Sequence, residues 1–315
     1  MKNSILGGIF GLCVGDALGV PVEFVHRSVL DRDPVRGMRA GGTHNQPAGT
    51  WSDDTSMALC LLDSLAQGLD YGDIMIRFLR WYREGAYTPH GQTFDVGGAT
   101  ARSLERFARG TPPLACGGTQ EGDNGNGSLM RILPLLFYLQ SRQDMEDMGG
   151  VLAVVHDVSA LTHAHKRSQL ACGLYISVAD LLTRGWAKEA AVERGLARAL
   201  NWYRQSPPFA RELAYYRRLS DPGFAGLSRA AIQSSGYVVH TLEAALWCLL
   251  TTKSYRDCVL AAVNLGDDTD TVAAVAGGLA GLHYGYENIP GEWLAAIVHR
   301  EEIESLCCKL GDALG

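Results

Sequence analysis

Apolar residues recur three or four positions apart along most of the chain. This spacing predicts helices over 56–67 (SMALCLLDSLAQ), 74–82, 152–158, 168–183, 187–203 and 272–282. Ala and Leu dominate these segments, while the two-residue alternation of a half-buried strand is scarce, so the expected fold class is all-α. Polar, glycine-rich stretches at 36–50, 86–97, 117–127 and 205–226 separate the helical runs. None of them has the length or uniform composition of a linker, and residues 1–315 are expected to form a single compact domain of stacked helices. The N-terminal segment MKNSILGGIFGLCVGDALG has the outline of a signal peptide. It carries only one basic residue and no Ala-x-Ala pattern before Asp16, and is expected to be a retained first helix.

Composition narrows the classes further. At 315 residues a chain can bury about three quarters of its unfolded surface, so neither metal nor disulfide staples are needed to build a core. A formal net charge of -6 argues against nucleic-acid binding through one broad basic face. No uncharged apolar run approaches the roughly 18 residues of a membrane span, so no membrane partner is expected. The eight cysteines include no Cys-x-x-Cys, and six lie in apolar helical contexts, where Cys is ordinarily a small core residue. They imply neither a zinc site nor a disulfide framework, and the expected compartment is reducing cytoplasm.

Two acidic clusters change the picture. In Gly266-Asp-Asp-Thr-Asp-Thr271, three carboxylates within four positions precede an Ala- and Gly-rich apolar run. A helix N-cap needs one such residue or two, and three repel one another unless a cation lies among them. Carboxylate and hydroxyl oxygens without His or Cys suit Mg²⁺ or Mn²⁺ rather than zinc. Ser52-Asp53-Asp54-Thr55 repeats the pattern more than 200 residues earlier, also at the start of an apolar helical run. Together the clusters predict convergence on one binuclear centre, with a bridging carboxylate between ions roughly 3.5–4 Å apart.

Three further segments carry weaker signals. Gly122-Asp-Asn-Gly-Asn-Gly-Ser128 lacks the Gly-Lys-Ser/Thr of a Walker loop, but its backbone N–H groups, leading directly into an apolar helix, are suited to phosphate. Glu23, between Val22 and Phe24 beside a Gly-Pro turn, is either half-exposed and idle or a carboxyl in a tuned environment. His163 and His165 stand two apart and do not share a helix face, which argues against a joint metal site.

Gly15-Asp16-Ala-Leu-Gly19, Gly49-Thr-Trp-Ser-Asp-Asp-Thr-Ser-Met57, Gly125-Asn-Gly-Ser-Leu-Met-Arg131, Leu161-Thr-His163 and Gly266-Asp-Asp-Thr-Asp-Thr-Val-Ala-Ala274 occur in the order of the ADP-ribosylglycohydrolase family, which this chain resembles from about Ile5 to about Tyr284. The resemblance is to the dinitrogenase reductase-activating branch in particular. It implies an orthogonal multi-helix all-α fold whose two Mg²⁺ or Mn²⁺ ions bind ADP-ribose. Carried over by residue, it makes Ser52, Asp53 and Asp54 ligands of one ion and Asp268, Asp270 and Thr271 ligands of the second, with Asp270 as the bridge. It gives Glu23 and Asp95 to catalysis, Asn126, Gly127, Ser128 and Met130 to the diphosphate and distal ribose, and His163 to substrate binding. Ser52 replaces the more usual Thr, and Gly98 stands where Asn is often found. The implied reaction is removal of ADP-ribose from modified protein side chains, arginine by preference over serine. Glu121 and Asp123 are expected to add negative charge for a guanidinium. A two-metal nucleotide phosphodiesterase or pyrophosphatase, and a catalytically silent binding protein, are the alternatives.

Overall fold

The computed structural model describes residues 1–315. In chain order its helices are α1 (Lys2–Gly19), α2 (Arg27–Leu30), α3 (Asp53–Leu65), α4 (Tyr71–Glu84), α5 (Gly98–Ala108), α6 (Pro134–Arg142), α7 (Met148–Ala160) and α8 (Lys166–Thr183). They continue with α9 (Lys188–Arg204), α10 (Pro207–Ala210), α11 (Val238–Thr251), α12 (Tyr255–Val263), α13 (Thr269–Tyr284), α14 (Gly291–Ala296) and α15 (Arg300–Leu314). There are no strands, only three isolated bridges, and all six periodic segments fall on helices to within two residues, three of the helices (α4, α7 and α13) extending further at both ends.

The helix pair α1 and α13 forms the axis of the molecule. Neither shows a polar stripe, because both are surrounded: from Gly7 to Gly19 every residue of α1 is buried, and so is all of α13 from Thr269 to Leu282. They run antiparallel with their backbones in contact. A Cβ on Gly11 would overlap the carbonyl oxygen of Gly277, and one on Gly15 that of Ala273, so these positions admit no side chain. The α1 segment Lys2–Val22 has a mean hydropathy of 1.8, which by length and composition would suffice to cross a bilayer, yet 94% of it is buried within this fold. Around this axis α11, α12 and α8 pack on α13, while α3 packs on α1 and carries α4, α6 and α15. One apolar core runs continuously from Ile5 to Leu310. Seven of the eight cysteines are buried in it or beside it.

Two expectations are corrected. The stretch 205–226, expected to be a loop, contains α10 and the 3₁₀ segments Leu213–Ser220 and Phe224–Gly226. Pro207 and Pro208 preset a helical first turn, and buried Phe209, Tyr216, Leu219 and Phe224 anchor the segment. The glycine loop does not lead directly into a helix. A turn over 127–131 intervenes, and α6 starts only at Pro134, a residue favoured at a first helical position.

Candidate metal and nucleotide site

Both acidic clusters open helices, as predicted, and the helices bring them together. The side-chain hydroxyl of Ser52 caps α3, accepting from the Asp54 amide at 3.3 Å. Asp16, from α1, accepts the Ser52 amide at 2.9 Å, the Thr55 amide at 3.0 Å and the Thr55 hydroxyl at 2.6 Å. Capping is therefore complete without the carboxylates of Asp53 and Asp54. At α13 the Asp268 side chain makes no cap hydrogen bond at all. The carboxylates are left for another purpose.

Their arrangement shows what that purpose can be. Oxygens of Asp16, Asp54 and Asp270 lie within 4.8 Å of one another, and so do those of Glu23, Asp268 and Asp270. Asp270 belongs to both triplets. Asp54 Oδ2 accepts from the hydroxyls of Ser52 at 3.0 Å and Thr271 at 3.3 Å, tying the two helix starts together across 217 residues. Asp54 Oδ1 and Asp270 Oδ2, by contrast, are buried with no partner. Burial and neighbouring carboxylates push Asp53, Asp54 and Asp270 well above the ordinary carboxylate range. Two sealed, unpaired carboxylate oxygens inside an all-oxygen cluster fit a hard divalent cation, which would satisfy both and relieve the repulsion. Asp53 falls outside both triplets and instead lines the adjoining cavity.

The cavity has a volume of about 390 Å³, within the range of small-molecule sites. Glu23, Asp53, Asp95, Asp268 and Thr271 form its acidic side. Gly125, Asn126, Gly127, Met130 and His163 supply a glycine-rich part of its wall. Glu23 is 3% exposed, and burial, with Asp95, Asp268 and Asp54 behind it, pushes its carboxyl up to about 10. Two residues lining this cavity, Phe24 at φ 60° and Asp95 at φ 52°, and Asp267 at φ 61°, next in sequence to Asp268, adopt the left-handed backbone conformation without being glycine. Phe24 and Asp267 hold each other there, since the Phe24 amide donates to the Asp267 carbonyl at 2.6 Å and the Asp267 amide to that of Val25 at 3.0 Å. Strain of this kind persists where the surroundings enforce it, as at functional sites.

On the glycine wall the residues divide. The Asn126 side chain donates to Asp268 Oδ2 at 2.8 Å and to the Thr241 hydroxyl at 2.9 Å, so it orients a carboxylate rather than reaching into the cavity. The Ser128 hydroxyl was expected to face a phosphate. It is fully buried and turned into the core, where it accepts from Ser159 at 2.9 Å. The backbone N–H groups of Gly127 and Ser128, however, donate to nothing within the protein. A Cβ on Gly127 would stand 2.8 Å from His163 Cε1, so glycine keeps this edge open. Glu121 and Asp123 do not supply free charge, because Glu121 pairs with Arg167 at 2.5 Å and Asp123 with Arg102 at 2.8 Å.

Sequence reasoning missed two residues. Asp16 was legible as the one charge inside an apolar helix. His44, from the loop before α3, places Nε2 against the Glu23 carboxylate, and nothing in its Gly-Gly-Thr-His surroundings marked it.

Comparison with known proteins gives the family. The family model described as ADP-ribosylglycohydrolase matches residues 1–314. An ADP-ribosylarginine hydrolase, Tri1, from Pseudomonas putida is 36% identical over 309 residues, covering 97% of this chain and 77% of the relative. The ADP-ribosyl-dinitrogen-reductase glycohydrolase of Rhodospirillum rubrum is 32% identical over 96% of this chain and 93% of its own length. A solved structure described as an ADP-ribosylglycohydrolase-related protein complex superposes with a TM-score of 0.81 at 36% identity, covering 100% of this chain and 99% of the other. An all-α fold, paired acidic helix starts and a match along almost the whole length place this chain in the ADP-ribosylglycohydrolase family.

Proposed function

We propose that this enzyme hydrolyses the bond between ADP-ribose and an arginine side chain of a modified cytoplasmic protein, with two Mg²⁺ or Mn²⁺ ions held by the acidic cluster. The observation that carries the reading is the pair of partnerless buried oxygens, Asp54 Oδ1 and Asp270 Oδ2, set beside a cavity lined by Gly127, whose backbone N–H donates to nothing within the protein. Asp54, Asp268 and Asp270, with Asp16, would hold the ions, Asp270 being shared, while Ser52 and Thr271 orient Asp54. Bound there, the cations would supply positive charge that grips ribose hydroxyls and polarises the reacting centre.

The remaining roles belong to this chain's own groups. The N–H groups of Gly127 and Ser128 receive the diphosphate. Glu23, buried and held near His44 and Asp95, exchanges a proton: its protonated carboxyl gives one to the departing nitrogen as the C–N bond breaks and takes one back from the incoming water. Asp95 faces the same cavity and offers a carboxylate that a planar guanidinium can engage through parallel N–H bonds. A serine-linked substrate brings no cation and gains nothing from Asp95.

Chromatographic analysis of products from arginine- and serine-linked ADP-ribosyl peptides tests the reading. Free ADP-ribose, released faster from the arginine peptide, is expected, and Asp95→Asn should impair that peptide disproportionately. AMP with ribose phosphate would replace glycosidic cleavage by phosphodiester chemistry, and a serine preference would overturn the linkage.

A further inference from the structure

The geometry points to Arg131 and Thr162 as positioning residues that fix His163 as a hydrogen-bond donor toward the cavity, an inference resting on the ADP-ribose reading above. Arg131 is an unusual buried cation. It is 0% exposed, no carboxylate pairs with it, and two of its nitrogens, Nε and Nη1, have no partner. Its guanidinium lies 4.6 Å from the centre of the Phe78 ring. Only Nη2 is engaged, donating to the Val158 carbonyl at 3.3 Å and to the Thr162 hydroxyl at 2.8 Å. Burying an incompletely bonded charge is costly, so its retention calls for a use.

Thr162 supplies that use. Its hydroxyl oxygen accepts from Arg131, and the acceptor in reach of its own proton is His163 Nδ1, at 2.8 Å. The Thr162 hydroxyl makes no hydrogen bond to the Val158 carbonyl, which accepts from Arg131 instead. A neutral imidazole that accepts at Nδ1 must carry its hydrogen on Nε2. Burial first, with Arg131 second, pushes His163 down to about 3, so the ring is neutral. Nε2 has no partner within the protein, is not sealed from solvent, and belongs to the wall beside Gly125 and Gly127. The relay therefore presents a donor of fixed sense to an acceptor oxygen of the nucleotide, next to the N–H groups of Gly127 and Ser128.

Two measurements on the full-length protein decide it. In ligand-free protein labelled with ¹⁵N-histidine, wild type and Thr162→Ser should show His163 as the Nε2–H tautomer, whereas Thr162→Val should show a mixture. Arg131→Met, which keeps the stem and removes the buried charge, should also mix the tautomers. An unmixed spectrum there would assign the relay to Thr162 alone and overturn Arg131's part. Calorimetric titration with ADP-ribose should show affinity about tenfold lower in Thr162→Val, the upper worth of one neutral hydrogen bond, and restored in Thr162→Ser. In a His163→Ala background the same Thr162→Val change should cost nothing further. An Nδ1–H tautomer in wild type, or an equal loss of affinity without His163, would overturn the inference. Failure of wild type to bind ADP-ribose would instead refute the functional reading, while the tautomer spectrum would still decide the relay.

Discussion

Replacing Asp270 by Asn should change stability in opposite directions with and without cations. Asp270 Oδ1 accepts the Thr271 amide at 2.9 Å, and an Asn oxygen can keep that bond. The Asn Nδ2 then stands where partnerless Oδ2 does now, among acceptors on Asp16, Asp54, Glu23 and Asp268. Two full carboxylate charges 4.8 Å apart repel by about 3.5 kcal/mol at an effective dielectric near 20. Partial protonation lowers that figure, since the raised pKa values mean that these groups take up protons rather than sustain the full repulsion. Relief of repulsion plus the new hydrogen bonds is worth about 1–3 kcal/mol. At 315 residues each kcal/mol moves the melting temperature by about 1.5 °C, so in EDTA the variant should melt about 2–5 °C above wild type. A carboxyl whose folded pKa is raised loses stability as pH climbs above its usual value near 4, so the gap should widen from pH 5 to pH 8.5. With Mg²⁺ at about a thousand times its dissociation constant, wild type gains about 4.1 kcal/mol and the variant much less, which reverses the order. Differential scanning fluorimetry across both conditions reads this directly. A variant that melts below wild type in EDTA at every pH, and gains the same increment from Mg²⁺, would refute the repulsive carboxylate cluster.

Three other outcomes are expected. Glu23→Gln should lower the turnover rate by about 10²–10⁴-fold with little change in ADP-ribose affinity by calorimetry; a variant keeping a third of the activity would move proton transfer elsewhere. Gly127→Val should drive its Cβ toward His163 Cε1, 2.8 Å away, and weaken ADP-ribose binding at least about tenfold while leaving the Mg²⁺-induced melting shift intact. His156, buried against Phe209 and bonded to the Tyr203 hydroxyl at 2.9 Å, is pushed down to about 3, mainly by burial. Because the unfolded chain takes up that proton near pH 6.5, stability should fall as pH drops from 6.5 toward 3. His156→Phe should remove up to about 1.4 kcal/mol per pH unit of that slope, read from urea midpoints.

Helices α1, α3, α4, α7, α8, α9 and α13 and both acidic clusters were legible because local periodicity and composition encode them, whereas α5, α11, α12 and α15 went unread. Ser52 and Asp268 illustrate the limit. Their types suit an N-cap equally, yet one side chain caps its helix and the other does not, and only the meeting of α3 with α13 separates the two outcomes. The Ser128 hydroxyl was misjudged because the turn over 127–131 rotates it toward Ser159, a partner 31 residues away. His44 was invisible because its role depends on loop placement against Glu23 rather than on any pattern in its own segment.

The contact between Gly11 and Gly277 has a consequence for how the protein is made. Its two halves are 266 positions apart, so the main partner of α1 is synthesised long after it, with only α14, α15 and the short 3₁₀ segment between α13 and α14 still to follow among the elements that cover it. At about 5–20 residues per second, the ribosome needs on the order of 13–50 s to supply that partner. For that interval an almost wholly apolar first helix has no final surface to rest on, and the carboxylate of Asp16 lacks the Asp270 end of its acidic cluster. The nascent chain must therefore be shielded or held in provisional contacts. Substitutions that enlarge Gly11 or Gly277 should show themselves first as low soluble yield in the cell, before any purified protein can be assayed for activity.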